Sequence, residues 1–419
     1  MEKLALYGGT PVVSPERPLP EVMPRLVAPE AYALVTEVLD GGFATDMTQR
    51  FEEKFASLHN AKHAVAVSNC SAAIHVALAV LGVGAGDEVV VTPVSDYGSH
   101  LGILAQNALP VFADIDPDTG NCTAETIEKA ISPYTKAIIV VHWHGLISDM
   151  DPIVELSGRT GIPVIEDCCQ CPLGEYKGRK AGTFGAIGCF STDAEKQLST
   201  EHGGMLITQD KELAEKAYRY AIMRGAYVQP DYGRRYDMMG LNYRFGQMEA
   251  AVGLAQLDIL PGQNSRRVEL AERLQSKLAA IDGILPLRIP EGSMCLYWIF
   301  PVIFDLDKFT ADTLMLGKAI AAEGVNGCSH MPYYLITDGH RCLQDRKGLY
   351  GDTACPFDCP YQRRRLEYGS LDLPGAELYV NRTIRWVWTD KYTDGDIDAI
   401  YQCIRKVCLY FHKERLHES

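Results

Sequence analysis

The spacing of apolar positions divides the chain into regions of different period. After a Pro-rich leader that ends near Pro29, EAYALVTEVLD has the 3.6-residue apolar period of a helix and stops at Gly41-Gly42. A second helical pattern follows in TQRFEEKFASLHN. Short apolar runs then alternate with helical stretches: HAVAVS, SAAIHVALAVLG, DEVVVTP, HLGILAQNA, LPVFADI, TAETIEKAI, KAIIVVHW, DPIVELSGRTG and PVIEDC. Repeated strand and helix pairs predict an α/β domain with a mainly parallel sheet, because neighbouring parallel strands need a crossover and the crossover is usually a helix. From LITQDKELAEKAYRYA to EAAVGLAQLDIL the pattern reads as helical, and SRRVELAERLQSKLAAIDG as a linking helix. Beyond it CLYWIFPVIFD predicts a strand, TADTLMLGKAIAAEG a helix and GDIDAIYQCIRKVCLYF a terminal helix. The division expected is residues 1–284 for a leader and large α/β domain, and 285–419 for a smaller α+β domain.

Composition supports this reading and narrows the function. The 419 residues are 47% hydrophobic and 22% charged, ordinary for a folded protein of about two domains. The formal net charge is −14, and the basic run Arg363, Arg364 and Arg365 stands alone, so a nucleic-acid partner is not expected. No run of about 18 apolar residues suggests a membrane span, and the first residues lack the apolar core of a signal peptide; a cytoplasmic location is the expectation. Thirteen cysteines, an odd number in a long chain, read as reduced thiols. Cys168, Cys169 and Cys171 form one cluster, and Cys355 and Cys359 a second. Neither has a standard zinc spacing, and no metal is expected. His142 and His144 alternate as residues on one strand face would, and two histidines alone more often pack than bind metal.

Ligands of parallel sheets gather at the carboxyl ends of the strands, so those ends carry the functional reading. After HAVAV, Ser68, Asn69, Cys70 and Ser71 open a helix, whose free N–H groups and positive dipole end suit a phosphate, though such residues are commonly only caps. After PVI come Glu166 and Asp167: a carboxylate at a buried strand end either caps a neighbouring element or faces a cation. After GCFS, Lys196 lies in a polar run before Gly203-Gly204. Most lysines are solvated, but one in a pocket can attack carbonyls. A phosphate holder, a carboxylate and a lysine are together the parts needed to bind pyridoxal 5′-phosphate.

The stretches SNCSAAIHVAL, VFADID, IEDCCQCPLGEYKGRKAGTFGAIGCFS, EKQLSTEHGGMLIT and GLNYRFGQMEAAVGLAQL resemble the DegT/DnrJ/EryC1/StrS family of pyridoxal-phosphate-dependent sugar aminotransferases, and LPGAELYVNRTIRWVWTDKYTDGDIDAI is similar to that family's closing segment. The resemblance implies the fold type I, aspartate-aminotransferase-like architecture and a homodimer with shared active sites. It places Lys196 on the lysine that holds the cofactor covalently, Asp167 on the partner of the pyridinium nitrogen, and Gln170 beside the ring hydroxyl. Ser71, the backbone of Ala72 and Ser191 fall on phosphate-binding positions. Asn242 matches an asparagine given to the other subunit's phosphate, and Tyr97 an aromatic stacked on the ring. The chain departs from the family in PVSDYGSH, where Asp96, Tyr97, Ser99 and His100 replace a more apolar wall, and in GCSHMPYYLITDGHRC, which leaves His330, Tyr333 and Tyr334 as pocket candidates.

By resemblance the reaction is ping-pong transamination from L-glutamate or L-glutamine to a keto-sugar, often nucleotide-linked, or a keto-cyclitol, with Lys196 as the general base. The N-terminal LALYGGTPV is similar to members acting on cyclitols. Two rivals are a dehydratase of a keto-deoxysugar, in whose relatives a histidine replaces the lysine kept here, and a catalytically silent sensor with the same fold.

Overall fold

A computed structural model describes residues 2–348, 353 and 355–414. The helices α1 (Glu30–Asp40) and α2 (Met47–Leu58) precede a run of alternating elements: β1 (His63–Val67), α3 (Cys70–Val80), β2 (Glu88–Val91), α4 (Gly98–Ala105), β3 (Leu109–Phe112), α5 (Ala124–Ala130), β4 (Thr135–Val141), α6 (Met150–Thr160) and β5 (Val164–Asp167). A small hairpin, β6 (Glu175–Tyr176) and β7 (Arg179–Lys180), leads to β8 (Ile187–Ser191) and β9 (Gly204–Thr208). Then follow α7 (Lys211–Ala221), the hairpin β10 (Ala226–Gln229) and β11 (Gly233–Tyr236), and α8 (Gln247–Leu278). The last part contains β12 (Ile284–Leu285), β13 (Ile299–Phe304), α9 (Thr313–Ala322), the short α10 (Ile336–Gly339) and α11 (Arg341–Gln344), α12 (Pro374–Asn381), β14 (Thr383–Val387) and α13 (Asp394–Phe411).

The expected α/β class is present. One seven-stranded sheet has the order β1-β9-β8-β5-β4-β2-β3, and β9 alone runs against the others. The carboxyl ends of β1, β2, β4, β5 and β8 therefore share one edge. The strands β2, β5, β8 and β9 are buried along their whole length, as expected for a sheet covered by helices on both faces. A second, antiparallel sheet, β12-β13-β14, lies in the C-terminal part.

Three local expectations differ from what forms. Gly204–Thr208 make the antiparallel strand β9, so residues 206–208 are strand rather than the start of a helix. The strand needs Gly204 at its first position, because a Cβ there would stand 2.4 Å from the Asn69 carbonyl carbon. The two predicted helices before residue 280 are one, α8, which runs through Pro261. A proline removes one helical N–H, but tertiary packing of the 32-residue helix outweighs that local loss. His142 and His144 do not share a strand face: β4 ends at Val141, and His144 takes a positive φ of 61° in the turn that follows. The first residues of the leader, grouped above with the large domain, pack on C-terminal elements, whereas Arg25 and Ala28 bond Ala194 and Gln256 of the large domain. The buried carboxylate of Glu323 accepts Ala5 N–H at 2.8 Å, Val12 N–H at 3.1 Å and Lys406 Nζ at 2.9 Å.

Candidate active site

The two carboxylates at the end of β5 are adjacent in sequence, and a strand sends adjacent side chains to opposite faces. Both are buried, and they have different roles. Glu166 accepts Phe184 N–H and Gly185 N–H, each at 2.7 Å, Gly182 N–H at 2.8 Å and His142 Nε2 at 3.2 Å. It ties down the loop that feeds β8, which is the capping alternative raised by the sequence. Asp167 faces the other way, into a cleft of ≈ 300 Å³ lined by Ser71, Asp96, Ser191, Lys196, Trp298 and Tyr334 among others. Its carboxylate accepts Ser99 Oγ–H at 2.7 Å and Cys169 N–H at 3.1 Å, so it is oriented without help from any ligand. Ser95 Oγ lies 2.8 Å from Ser99 Oγ and extends this chain of hydroxyls.

Lys196 reaches the same cleft from a tightly closed loop. Thr200 N–H donates to Thr192 O at 2.9 Å, Lys196 N–H to Asp193 O at 3.0 Å, and Gln197 Nε2 to Gln170 O at 2.7 Å. The lysine's Nζ stands 3.3 Å from the centroid of the Trp298 ring, and that indole is itself fixed by donating to Glu195 O at 3.0 Å. An ammonium over an indole face is attracted to its π-electrons, so Trp298 holds the amine inside the cleft.

The third component is the start of α3. Asn69 caps it by accepting Ala72 N–H at 2.8 Å, which leaves Cys70 and Ser71 as first-turn amides without an acceptor inside the helix. Gly98 lets α4 approach this turn, since a Cβ there would lie 2.7 Å from Ser71 Oγ. Cys70 Sγ is 3.9 Å from Asp167 Oδ1. Its hydrogen bond with Cys169, then burial and the Asp167 charge, push the thiol well above its usual range, so it stays neutral and is no rival nucleophile.

The structure thus brings Lys196, Asp167, Ser71 and Ser191 to one cleft, with Ala72 buried just behind the α3 start. Gln170 is buried under the lysine loop and does not line the cleft; its Oε1 has no hydrogen-bond partner among the described residues. Tyr97 is outside the lining as well. Its Oη accepts from Cys342 Sγ at 3.0 Å, and its ring lies 4.9 Å from that of His340. Asn242 is exposed, in the segment where Ser68 N–H bonds Tyr243 O at 3.0 Å. Of the pocket candidates, Asp96, Ser99 and Tyr334 line the cleft, His330 and Tyr333 do not, and His100 is fully buried and bonds Thr92 O at 3.1 Å. Burial and His340 push the His100 imidazole down to about 3, so it is neutral. Sequence reasoning missed Trp298, hidden in an apolar run that reads as core. It also did not pair Ser99 with Asp167, although the rule of strand ends points to the loop after β2.

The cysteine clusters are now placed. Ligand atoms of His142, Cys168 and Cys171 lie within 4.8 Å of one another, all buried. Both nitrogens of His142 are engaged, Nε2 with Glu166 and Nδ1 as acceptor of Ser148 N–H at 3.2 Å. Burial pushes the thiols of Cys168 and Cys171 up, so they pack as neutral groups. In the second cluster, Cys359 is buried and the Cys355 thiol is pushed up by its hydrogen bond to Cys359.

Residues 27–347 match the model of the DegT/DnrJ/EryC1/StrS aminotransferase family. The chain belongs to this family. The spore coat polysaccharide biosynthesis protein SpsC of Bacillus subtilis is 30% identical over 398 residues, which cover 93% of this chain and 97% of SpsC. L-glutamine:2-deoxy-scyllo-inosose aminotransferase of Micromonospora echinospora is 35% identical over 302 residues, 68% of this chain and 71% of that enzyme. The crystal structure of an aminotransferase from Psychrobacter cryohalolentis superposes with a TM-score of 0.82 at 27% identity, covering 94% of this chain and all (100%) of that one. As a family member the chain is a pyridoxal-phosphate-dependent aminotransferase. The donor set in the cleft fits that cofactor: first-turn amides for a phosphate, a buried carboxylate for a ring nitrogen and an amine for an aldehyde.

Proposed function

We propose that the protein moves an amino group from L-glutamate or L-glutamine to the carbonyl carbon of a keto-sugar or keto-cyclitol, in two half-reactions that share one site. The observation that carries this reading is the convergence of Lys196, Asp167 and the α3 start on one cleft. The names of relatives support the acceptor class: one is a GDP-perosamine synthase, 38% identical over 253 residues, and another an inosose aminotransferase.

Pyridoxal 5′-phosphate, when bound, supplies an aldehyde for the amine and an electron sink conjugated to it. The chain's own groups do the rest. The amides of Cys70 and Ser71, with Ser71 Oγ and Ser191 Oγ, hold the phosphate. Asp167 keeps a proton on the ring nitrogen, and the Ser99 and Cys169 donors stop its carboxylate from turning away. With the cofactor bound, Lys196 Nζ would serve as the base that takes the proton from the donor's α-carbon and, in the second half-reaction, returns one to the product carbon. Its retention favours transamination over the dehydratase reading.

Assembly as a homodimer belongs to the same proposal. Asn242 is exposed beside a hairpin whose Val228, Tyr232 and Tyr236 are 64%, 69% and 62% exposed, a surface suited to a second copy. The test of the whole reading is the visible spectrum of the cofactor-loaded protein. Addition of L-glutamine or L-glutamate shifts the band, and a keto-sugar or keto-cyclitol restores it. A band that neither donor changes overturns the reading.

A further inference from the structure

Residues 21–28 of the leader form neither helix nor strand, yet they are fastened at both ends. Lys391 Nζ, four residues after β14, donates to the carbonyls of Glu21 at 3.0 Å, Val22 at 2.9 Å and Pro24. On the other side Gln256 of α8 accepts Ala28 N–H at 2.8 Å and donates its Nε2 to Leu26 O at 3.0 Å. Between these two clasps stands Arg25. Its Nε donates to Ala194 O at 3.1 Å and its Nη2 to Glu195 O. Those are the two carbonyls directly before Lys196. Burial opposes the charge on the guanidinium, and the carboxylates of Asp390, Glu195 and Asp193 favour it.

The second of these acceptors has another donor. Glu195 O also receives Trp298 Nε1 at 3.0 Å, and the Trp298 ring is the one that faces Lys196 Nζ. One carbonyl oxygen therefore serves the leader with one lone pair and the indole with the other. A peptide unit is planar, so fixing the oxygens of two successive units fixes both planes and the direction in which the Lys196 Cα sends its side chain. We propose that Arg25 is a positioning residue for Lys196: the leader clamps the backbone before the lysine, so that the amine stays over Trp298 and inside the cleft. The task of that amine rests on the aminotransferase reading, whereas the clamp rests on the contacts of Arg25. A base moves a proton only within hydrogen-bond reach, and a misplacement of about 1 Å can cost about a hundredfold in rate.

The test compares wild type with Arg25→Met, which keeps the apolar stem, and Arg25→Lys, which keeps the charge and loses the two-pronged fork. Hydrogen exchange of the full chain reads the loop directly and needs no turnover. Loss of two bonds from a charged donor makes the peptide spanning residues 192–200 exchange at least about tenfold faster in cofactor-free Arg25→Met, while peptides of β4 and β5 keep the wild-type rate. Arg25→Lys falls between. In cofactor-loaded Arg25→Met, kcat falls about ten- to a hundredfold with the donor KM changed less than about twofold. The isotope effect with α-deuterated donor rises, because proton transfer to a loosened base becomes the slow step.

Loop exchange and isotope effect both equal to wild type in Arg25→Met overturn the proposal. Faster exchange along the whole chain, with a lower melting temperature and unchanged kcat, shows a structural contact alone and overturns it as well. A wild type that reacts with neither L-glutamine nor L-glutamate removes the donor reading instead. The clamp is then decided by the rate at which the cofactor's covalent band forms on loading: about tenfold slower in Arg25→Met supports it, and an unchanged rate overturns it.

Discussion

Glu166→Gln and Asp167→Asn change neighbouring residues by the same chemistry, one oxygen to one amide nitrogen, and the structure predicts opposite outcomes. Glu166 receives its hydrogen bonds from three backbone N–H groups and from His142. Backbone donors cannot reverse, so one end of a glutamine amide would present N–H to N–H and at least two bonds would be lost. At about 1.5–3 kcal/mol for each bond to a charged group, the cost is about 3–6 kcal/mol. With about 2.1 cal/mol/K of unfolding entropy per residue over 419 residues, Tm falls by about 3–7 °C. Asp167 is different, because its 2.7 Å donor is the Ser99 hydroxyl, which can turn round and accept from an amide while Ser95 adjusts in its turn. Asp167→Asn therefore costs only about 1 kcal/mol, within the range of one neutral hydrogen bond. On the proposed mechanism it loses the carboxylate assigned to the ring-nitrogen proton, and turnover is expected to fall by about two orders of magnitude or more, in the range of a positioned acid–base group. Calorimetric melting at fixed protein concentration and a coupled transamination assay measure both. A Glu166→Gln protein as stable as wild type, or an Asp167→Asn protein with full turnover, refutes the division of labour.

Three other changes test separate parts of the structure. Burial, with Glu53 adding to it, raises the Glu52 carboxyl from its ordinary 4.5 to about 7. Between those values the folded state binds more protons, so this group's contribution falls as pH rises and is lost above about 7. Glu52→Gln therefore gains about 1–3 kcal/mol over wild type at pH 8 and nothing below pH 4.5, read from denaturation midpoints; a gain independent of pH contradicts it. Gly204→Ala drives a Cβ to 2.5 Å from the Asn69 carbonyl oxygen, so β9 and the α3 start must separate. Cofactor affinity, followed by fluorescence titration, drops together with about 1–3 kcal/mol of stability, and an unaltered affinity would mean that the α3 turn does not hold the phosphate. Pro261→Ala restores a missing helical N–H at an exposed position and raises stability by about 1–3 kcal/mol in chemical denaturation, whereas a loss would show that the proline shapes α8.

The parallel sheet was legible because its strands alternate with helices in clear periods, and the site because ligands collect where those strands end. Lys196, Asp167 and Ser71 follow from that rule, and Ser191, singled out by the family resemblance, lines the same cleft. What escaped depends on contacts distant in sequence. β9 is held between β1 and β8 by a glycine approach that no local pattern reveals. The hairpin β10–β11 has all four residues of its second strand exposed, so it lacks the alternation that marks a strand. Trp298 sits inside an apolar run and Arg25 in a leader without periodicity, where only the folded neighbourhood shows that one holds the lysine and the other its loop. The histidines after β4 were misplaced because one residue at positive φ breaks the alternation.

The central claim is that Lys196 carries the chemistry, and its most direct test is borohydride reduction of the cofactor-loaded protein followed by peptide mass mapping. The expected result is the reduced cofactor's mass on the peptide that contains Lys196, and its disappearance when L-glutamine is added before the borohydride. Label on another lysine, or label on Lys196 that a reactive donor does not remove, would contradict it.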